Sequence, residues 1–141
     1  MPADPACKFC QIVGKALDAA VVFEDSESLA FLDHRPLFRG HVLLIPKDHY
    51  ETLADLPPDH GGRLFRTAQL LSIAVERGMR ADGTFLAINN RVSQSVPHLH
   101  VHIVPRRKKD GLRGFFWPRH PYPDDAEMER VRDAIRDALQ S

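Results

Sequence analysis

The sequence predicts a mixed fold of five short strands and two helices in one globular domain. Three observations carry that expectation. Short apolar or alternating runs recur five times, each closed by turn residues or proline. One stretch repeats its apolar residues at three- and four-residue steps, and a second does so at the C-terminus. With 141 residues, 43% hydrophobic and 27% charged, the chain suits a single core, and no composition shift marks a boundary.

The elements follow in order. "CKFCQIV", from Cys7, is a short apolar turn or helix. "AVVFED" and "SLAFLD" are strands joined through Glu24, Asp25 and Ser26, a hairpin pattern. "GHVLLIP" is a more buried strand closed by Pro46, which lacks a ladder donor. After "DLPPD", Leu64, Ala68, Leu71 and Val75 mark one face of a long helix that should stop at Gly78 and is weakened at its start by Gly61 and Gly62. "GTFLAIN" is a fourth strand, and "HLHVHIV" a fifth, ended by Pro105. "RRKKDGLRGFFWPRHPYP" is irregular, and Met128, Val131, Ile135 and Leu139 behind Asp124 and Asp125 mark a C-terminal helix.

Charge and targeting signals exclude several classes. The 19 basic and 19 acidic side chains cancel, so the overall field gives no reason to expect nucleic acid or an anionic membrane as partner. The start, "MPADPACKFC", has no basic segment followed by an apolar one, and no window approaches the roughly 20 apolar residues of a membrane span. A cytoplasmic location is expected. There Cys7 and Cys10 stay reduced, as metal ligands, redox thiols or plain structure.

The chemistry concentrates in "SQSVPHLHVHIVPRR". Strand side chains alternate faces, so His98, His100 and His102 share one side while Leu99, Val101 and Ile103 share the other. Neighbouring rings on that side start about 6.6 Å apart, twice the rise of roughly 3.3 Å, and two of them can converge on one metal or one phosphate. A single histidine there would read as a half-buried sheet residue with satisfied nitrogens. Three in register are a poor filling for a sheet face, because each buried ring needs partners for two nitrogens. Two chemistries want such a row. One is a catalytic zinc held by His98 and His100; the other is an imidazole nucleophile attacking phosphorus. Gln94 and Ser95, an amide and a hydroxyl suited to phosphate oxygens, favour the second, as does the lack of a carboxylate on the strand.

"QSVPHLHVHIVPR" resembles the signature of the histidine triad (HIT) superfamily, His-φ-His-φ-His-φ-φ with φ apolar, matched at each position from His98 to Val104. "CKFCQIV", "AFLDHRPLFRGHVLLIPKDHYETLADL" and "AINN" agree as well, so the resemblance runs from about residue 7 to 107, with the loop and helix of 108–141 outside it. It implies an α+β fold: a five-stranded antiparallel sheet with a long helix and a C-terminal helix, the sheet extended across a homodimer. The implied activity is cleavage of a nucleoside phosphate at its α-phosphorus, on adenosine phosphoramidates, adenylated esters or dinucleoside polyphosphates. Carried onto this chain, His100 forms a nucleotidyl-histidine intermediate and the His98 carbonyl fixes its tautomer. His102 and His41 sit beside the phosphate. Gln94 contacts the bridging oxygen and Ser95 a phosphate oxygen. Asp33 holds the ribose hydroxyls, unless it is a turn residue capping a strand, and Asn89 lies near ribose and phosphate. Members with an N-terminal Cys-x-x-Cys imply a structural zinc on Cys7, Cys10, His49 and His98; buried thiols or a redox pair are the rivals.

The chemistry stands without the family. A neutral imidazole is mostly deprotonated at neutral pH and needs no strong base, and its phosphorylated form is reactive enough for water to release the nucleotide. Two other classes compete: a nucleotide-sensing dimer with little turnover, and a zinc-dependent hydrolase using His98 and His100. The segment between Asn89 and Gln94 is shorter than usual, so Asn90 and Arg91 stand where others have glycine. His34 either stacks on a nucleobase or faces solvent, and His60 and His120 are expected in solvent. In the basic aromatic loop, Phe115, Phe116 and Trp117 could pack on the body or stack on single-stranded nucleic acid, and Arg106, Arg107 or Arg113 could meet far phosphates.

Overall fold

The computed structural model describes residues 2–112 and 119–140, in two compact units, Met1–Asp110 and Gly111–Ser141. Arg113, Phe115, Phe116 and Trp117, and the roles expected of them, lie outside the described residues.

In the first unit the elements run α1 (Lys8–Val13), β1 (Val21–Glu24), β2 (Ser28–Leu32), β3 (Val42–Pro46), α2 (Pro58–Gly78), β4 (Gly83–Ala87) and β5 (Val101–Arg106). The strands form one antiparallel sheet in the order β1-β2-β3-β5-β4, the expected α+β architecture. Period-two alternation divides its two faces. Ala30, Val42, Leu44, Leu99, Val101 and Ile103 meet Leu64, Ala68, Leu71 and Val75 of α2, the four residues whose spacing predicts that helix. Each large side chain buried there contributes roughly 1.5–3 kcal/mol. The intervening residues, Leu29, Phe31, Leu43 and Ile45, pack with Cys7, Phe9 and Cys10 of the α1 segment on the opposite face.

The helix boundaries have local causes. Pro58 opens α2, where a missing N–H costs nothing, and Asp59 lies in the first turn with Arg77 in the last. Before it, Leu53–Asp55 makes a 3-10 turn closed by a capping box, in which Asp55 Oδ2 accepts from Thr52 N at 3.0 Å. His60, the third residue of α2, is half-buried with its ring edge-on to Tyr50 at 6.5 Å, not in solvent as expected.

The fifth strand starts later than its alternation suggests. The ladder with β3 begins at Val101, opposite Leu44, although β3 itself runs on to Pro46. Upstream, Leu99 N donates instead to the Tyr50 carbonyl (2.6 Å) and the His98 ring bonds the Pro46 carbonyl. Alternation survives the change, with Leu99 on the α2 side.

In the second unit, α3 (Asp125–Gln140) is capped by Asp124, whose Oδ1 accepts from Glu127 N at 2.8 Å. Met128, Ile135 and Leu139 are exposed. No helix among the described residues is long and apolar enough to cross a membrane.

Candidate active site and metal centre

The three triad histidines approach the sheet from its α1 face, and each ring has its tautomer set by a neighbour. His100 Nδ1 lies 2.7 Å from the His98 carbonyl, which can only accept, so Nδ1 carries the proton and Nε2 presents its lone pair. Leu37 N donates to His41 Nδ1 at 3.1 Å. That leaves the His41 proton on Nε2, where it is donated to His102 Nδ1 at 3.0 Å. The His102 proton is then on Nε2, which is buried and, among the described residues, has no hydrogen-bond partner. A buried N–H without an acceptor costs about 1–3 kcal/mol. This N–H lies on the ring next to His100, the two ring centroids being 4.9 Å apart.

Burial keeps these rings neutral. Desolvation holds His102 at about 4, helped by the like charges His100 and His41 would carry. It lowers His41 and His100 too, against the pull of Asp33, and against the hydrogen bond to the His98 carbonyl in the case of His100. With its pKa below the usual imidazole value, His100 is neutral at neutral pH and its Nε2 lone pair is available there.

Asp33 sits at the end of β2. Its Oδ1 accepts from Arg35 N at 2.9 Å, its own N–H donates to the His41 carbonyl, and its Oδ2 is 3.8 Å from His41 Nδ1. It thus caps the strand and stays beside the triad. Gln94 is turned into its own loop: Oε1 accepts from Arg91 N (2.8 Å) and Nε2 donates to the Glu51 carbonyl (2.7 Å). One Nε2 hydrogen remains for another acceptor. Asn89 is half-buried after β4 and Ser95 is exposed. Asn90 Oδ1 accepts from Leu53 N at 3.0 Å. The shortened segment is strained, with φ of 70° at Arg91 and 62° at Ser93. His34 and His120 are exposed. Arg106 and Arg107 are engaged away from the histidines: Arg106 grips Asp110 at 2.6 and 2.9 Å, and Arg107 donates to the Met79 carbonyl.

The other histidine nitrogens build a second cluster. His98 Nε2 lies 2.8 Å from the Pro46 carbonyl and so carries the proton, leaving Nδ1 bare. That nitrogen is 3.4 Å from Cys7 Sγ, 3.6 Å from Cys10 Sγ and 3.2 Å from His49 Nδ1, and Cys10 Sγ is 3.3 Å from His49 Nδ1. A tetrahedral ion with bonds of about 2.3 Å to sulfur and about 2.05 Å to nitrogen separates N from N by roughly 3.3 Å and S from N by roughly 3.6 Å. The spacings match, all four donor atoms lie within 4.8 Å of one another, and the cluster could hold a metal. Burial raises the Cys10 thiol and lowers His98 to about 4. The thiol is thus disfavoured as a free anion, and the imidazole is ready as a neutral ligand.

Several contributors carry no mark in the sequence. The Leu37 amide and the Pro46, Glu51 and His98 carbonyls are backbone groups, so any residue except proline could supply that amide. Phe9, edge-on to His100 with ring centroids 5.1 Å apart, reads in the sequence only as an apolar residue between two cysteines.

Comparison with known proteins agrees with this geometry. The HIT domain model matches residues 15–109, beginning after the two cysteines. Adenylylsulfatase HINT3 of Arabidopsis thaliana is 33% identical over 96% of this chain and 70% of that protein. Adenosine 5'-monophosphoramidase HNT1 of Saccharomyces cerevisiae is 34% identical over 77% of this chain and 68% of its own length. The crystal structure of a Zn-bound histidine triad family protein from Mycobacterium smegmatis is 38% identical, covers 96% of each chain and superposes with a TM-score of 0.73. With its triad, its sheet and its match over most of its length, the chain belongs to the HIT domain family.

Proposed function

We propose that this protein is a nucleotide hydrolase or transferase that cleaves adenosine nucleotides at the α-phosphate through a nucleotidyl-His100 intermediate. The observation that carries the reading is the protonated Nδ1 of His100 on the His98 carbonyl, which turns an unprotonated Nε2 toward the site. In the first step that nitrogen attacks the α-phosphorus, a P–N bond forms and the bond to the leaving group breaks. The positive charge reaching the ring is shared with the His98 carbonyl, and His102 Nε2–H donates to a phosphate oxygen. Water then attacks phosphorus, the P–N bond breaks and the nucleoside monophosphate leaves. Asp33 and Asn89 are assigned to the ribose and Ser95 to a phosphate oxygen. Gln94 is assigned to the bridging oxygen through its remaining amide hydrogen. Phosphoramidates and dinucleoside polyphosphates are the substrate classes.

The four-donor cluster is assigned a structural Zn2+, bound by Cys7, Cys10, His49 and His98 and closed by four protein ligands. His98 Nδ1 faces the thiols, which favours this arrangement over a catalytic zinc shared with His100. The functional unit is taken as one HIT domain with its core at about residues 7–107, working as a cytoplasmic homodimer. β4 is an edge strand, and Leu86 on it and Phe65, Leu70 and Ile73 on α2 are exposed, which supports pairing with a second copy there.

The test is brief mixing with a diadenosine polyphosphate or an adenosine phosphoramidate, an alkaline quench because the P–N bond is acid-labile, and peptide mass analysis. An adenylyl group is expected on the peptide carrying His100 and none in His100→Ala. Bound nucleotide without any adduct, in wild type and in slowed variants, would refute the intermediate and favour the sensing reading.

A further inference from the structure

We propose that Phe9 is a positioning residue for His100, held against the nucleophile ring by the two cysteines that flank it. The inference rests on the reading of His100 as nucleophile. A histidine ring turns on a broad torsion, so one hydrogen bond at Nδ1 leaves a pivot that swings Nε2 away from its target. Three neighbours restrict that pivot. The His98 carbonyl holds Nδ1, the His102 ring stands at 4.9 Å, and Phe9 closes the remaining side at 5.1 Å with the two ring planes at 90°.

Phe9 is itself fixed. It is 7% exposed, edge-on to Phe31 at 5.4 Å and to His98 at 5.9 Å, within the apolar cluster of Leu29, Leu43 and Ile45. Its helix has only six residues, Lys8 to Val13, too short to persist by itself. That helix is tied to the sheet by this apolar cluster and by the pair of thiols either side of Phe9, which face His98 and His49. Cys7, Phe9 and Cys10 therefore form one clamp: the sulfurs grip one side of the triad strand's entry and the ring rests on the nucleophile. The clamp gives the Cys-x-x-Cys cluster a route to catalysis that does not place the metal at the reacting phosphorus.

A reacting atom misplaced by about 1 Å can cost about 100-fold in rate. In protein loaded with one equivalent of Zn2+, Phe9→Met, which keeps most of the apolar bulk but removes the flat ring, should lower kcat by about 10- to 100-fold while KM stays within about 3-fold. Metal content should remain one per chain, Phe9→Tyr should recover most of kcat, and the 15N-labelled His100 ring should show broadened or doubled signals in Phe9→Met. The inference is overturned if KM rises while kcat holds, which would make Phe9 a wall of the nucleotide pocket. It is also overturned if the loss follows lost metal, if Phe9→Tyr is as slow as Phe9→Met, or if the His100 ring keeps one sharp set of signals. Full activity in His100→Ala would instead remove the nucleophile reading, and the ring signals, recorded without substrate, would still decide what Phe9 does.

Discussion

Gly40 precedes His41 with φ at +96°, a conformation that L side chains rarely adopt. A Cβ there would lie 2.5 Å from Met79 Cγ, 2.9 Å from Sδ and 3.2 Å from Cε. Gly40→Ala thus adds two separable costs. The backbone strain is about 1–2 kcal/mol. Contacts about 1 Å inside the usual carbon separation force the Met79 side chain off its rotamer, for roughly another 1–3 kcal/mol. In a Met79→Ala background the clashing atoms are gone and only the strain remains. The double-mutant cycle should therefore return a favourable coupling of about 1–3 kcal/mol, read from urea unfolding of all four proteins. Because Gly40 sets the path into His41, Gly40→Ala should also disturb the His41–His102 hydrogen bond and lower turnover more than Met79→Ala does. A Gly40→Ala protein within about 0.5 kcal/mol of wild type, or a cycle with no coupling, would refute the geometry.

Three further outcomes are expected. Arg91→Gly and Ser93→Gly relieve left-handed backbone costing about 1–2 kcal/mol each, less about 0.5–1 kcal/mol for glycine's added freedom in the unfolded chain, so urea midpoints should rise slightly in both. His102 sits at about 4 when folded, below its ordinary value of 6.5. The native state thus binds fewer protons than the unfolded one, so its contribution is complete above pH 6.5 and is lost as pH falls toward 4. Discounted for partial exposure, the loss is roughly 1–3 kcal/mol, and in metal-free protein His102→Asn should flatten urea stability between pH 7 and 4.5. Chelation should lower the thermal midpoint by several degrees, equivalent to about 3 kcal/mol for a ligand at about a hundred times its Kd, while Cys7→Ala should lose the response to chelator.

Much of this was legible from residue types and spacing. Leu64, Ala68, Leu71 and Val75 face the core because the helical period puts them on one stripe, and the triad alternation survives where the ladder itself stops. The four donors of the candidate metal cluster carry their chemistry in side chains that a sequence displays. What the sequence could not display is the backbone. The tautomers of His41, His98 and His100 depend on the Leu37 amide and the Pro46 and His98 carbonyls, whose identities say nothing of their role. Gln94 shows the reverse case: its side chain is legible, but its amide is folded onto Arg91 and Glu51 by a turn that sequence alone does not specify.

The separation in sequence between the thiols and their partners has a consequence for how the molecule is made. Cys7 and Cys10 meet His98 across 91 and 88 residues, and Cys10 meets His49 across 39. Closing such long loops is entropically costly and follows local structure, so the strands and α2 should assemble first and the N-terminal helix dock afterwards. Synthesis runs in the same direction. α1 leaves the ribosome before β5 and waits for it, at about 5–20 residues per second. The imidazole assigned as nucleophile is then clamped only once β5 has emerged, and a truncated product ending before His98 would have neither the proposed nucleophile nor the complete candidate metal cluster.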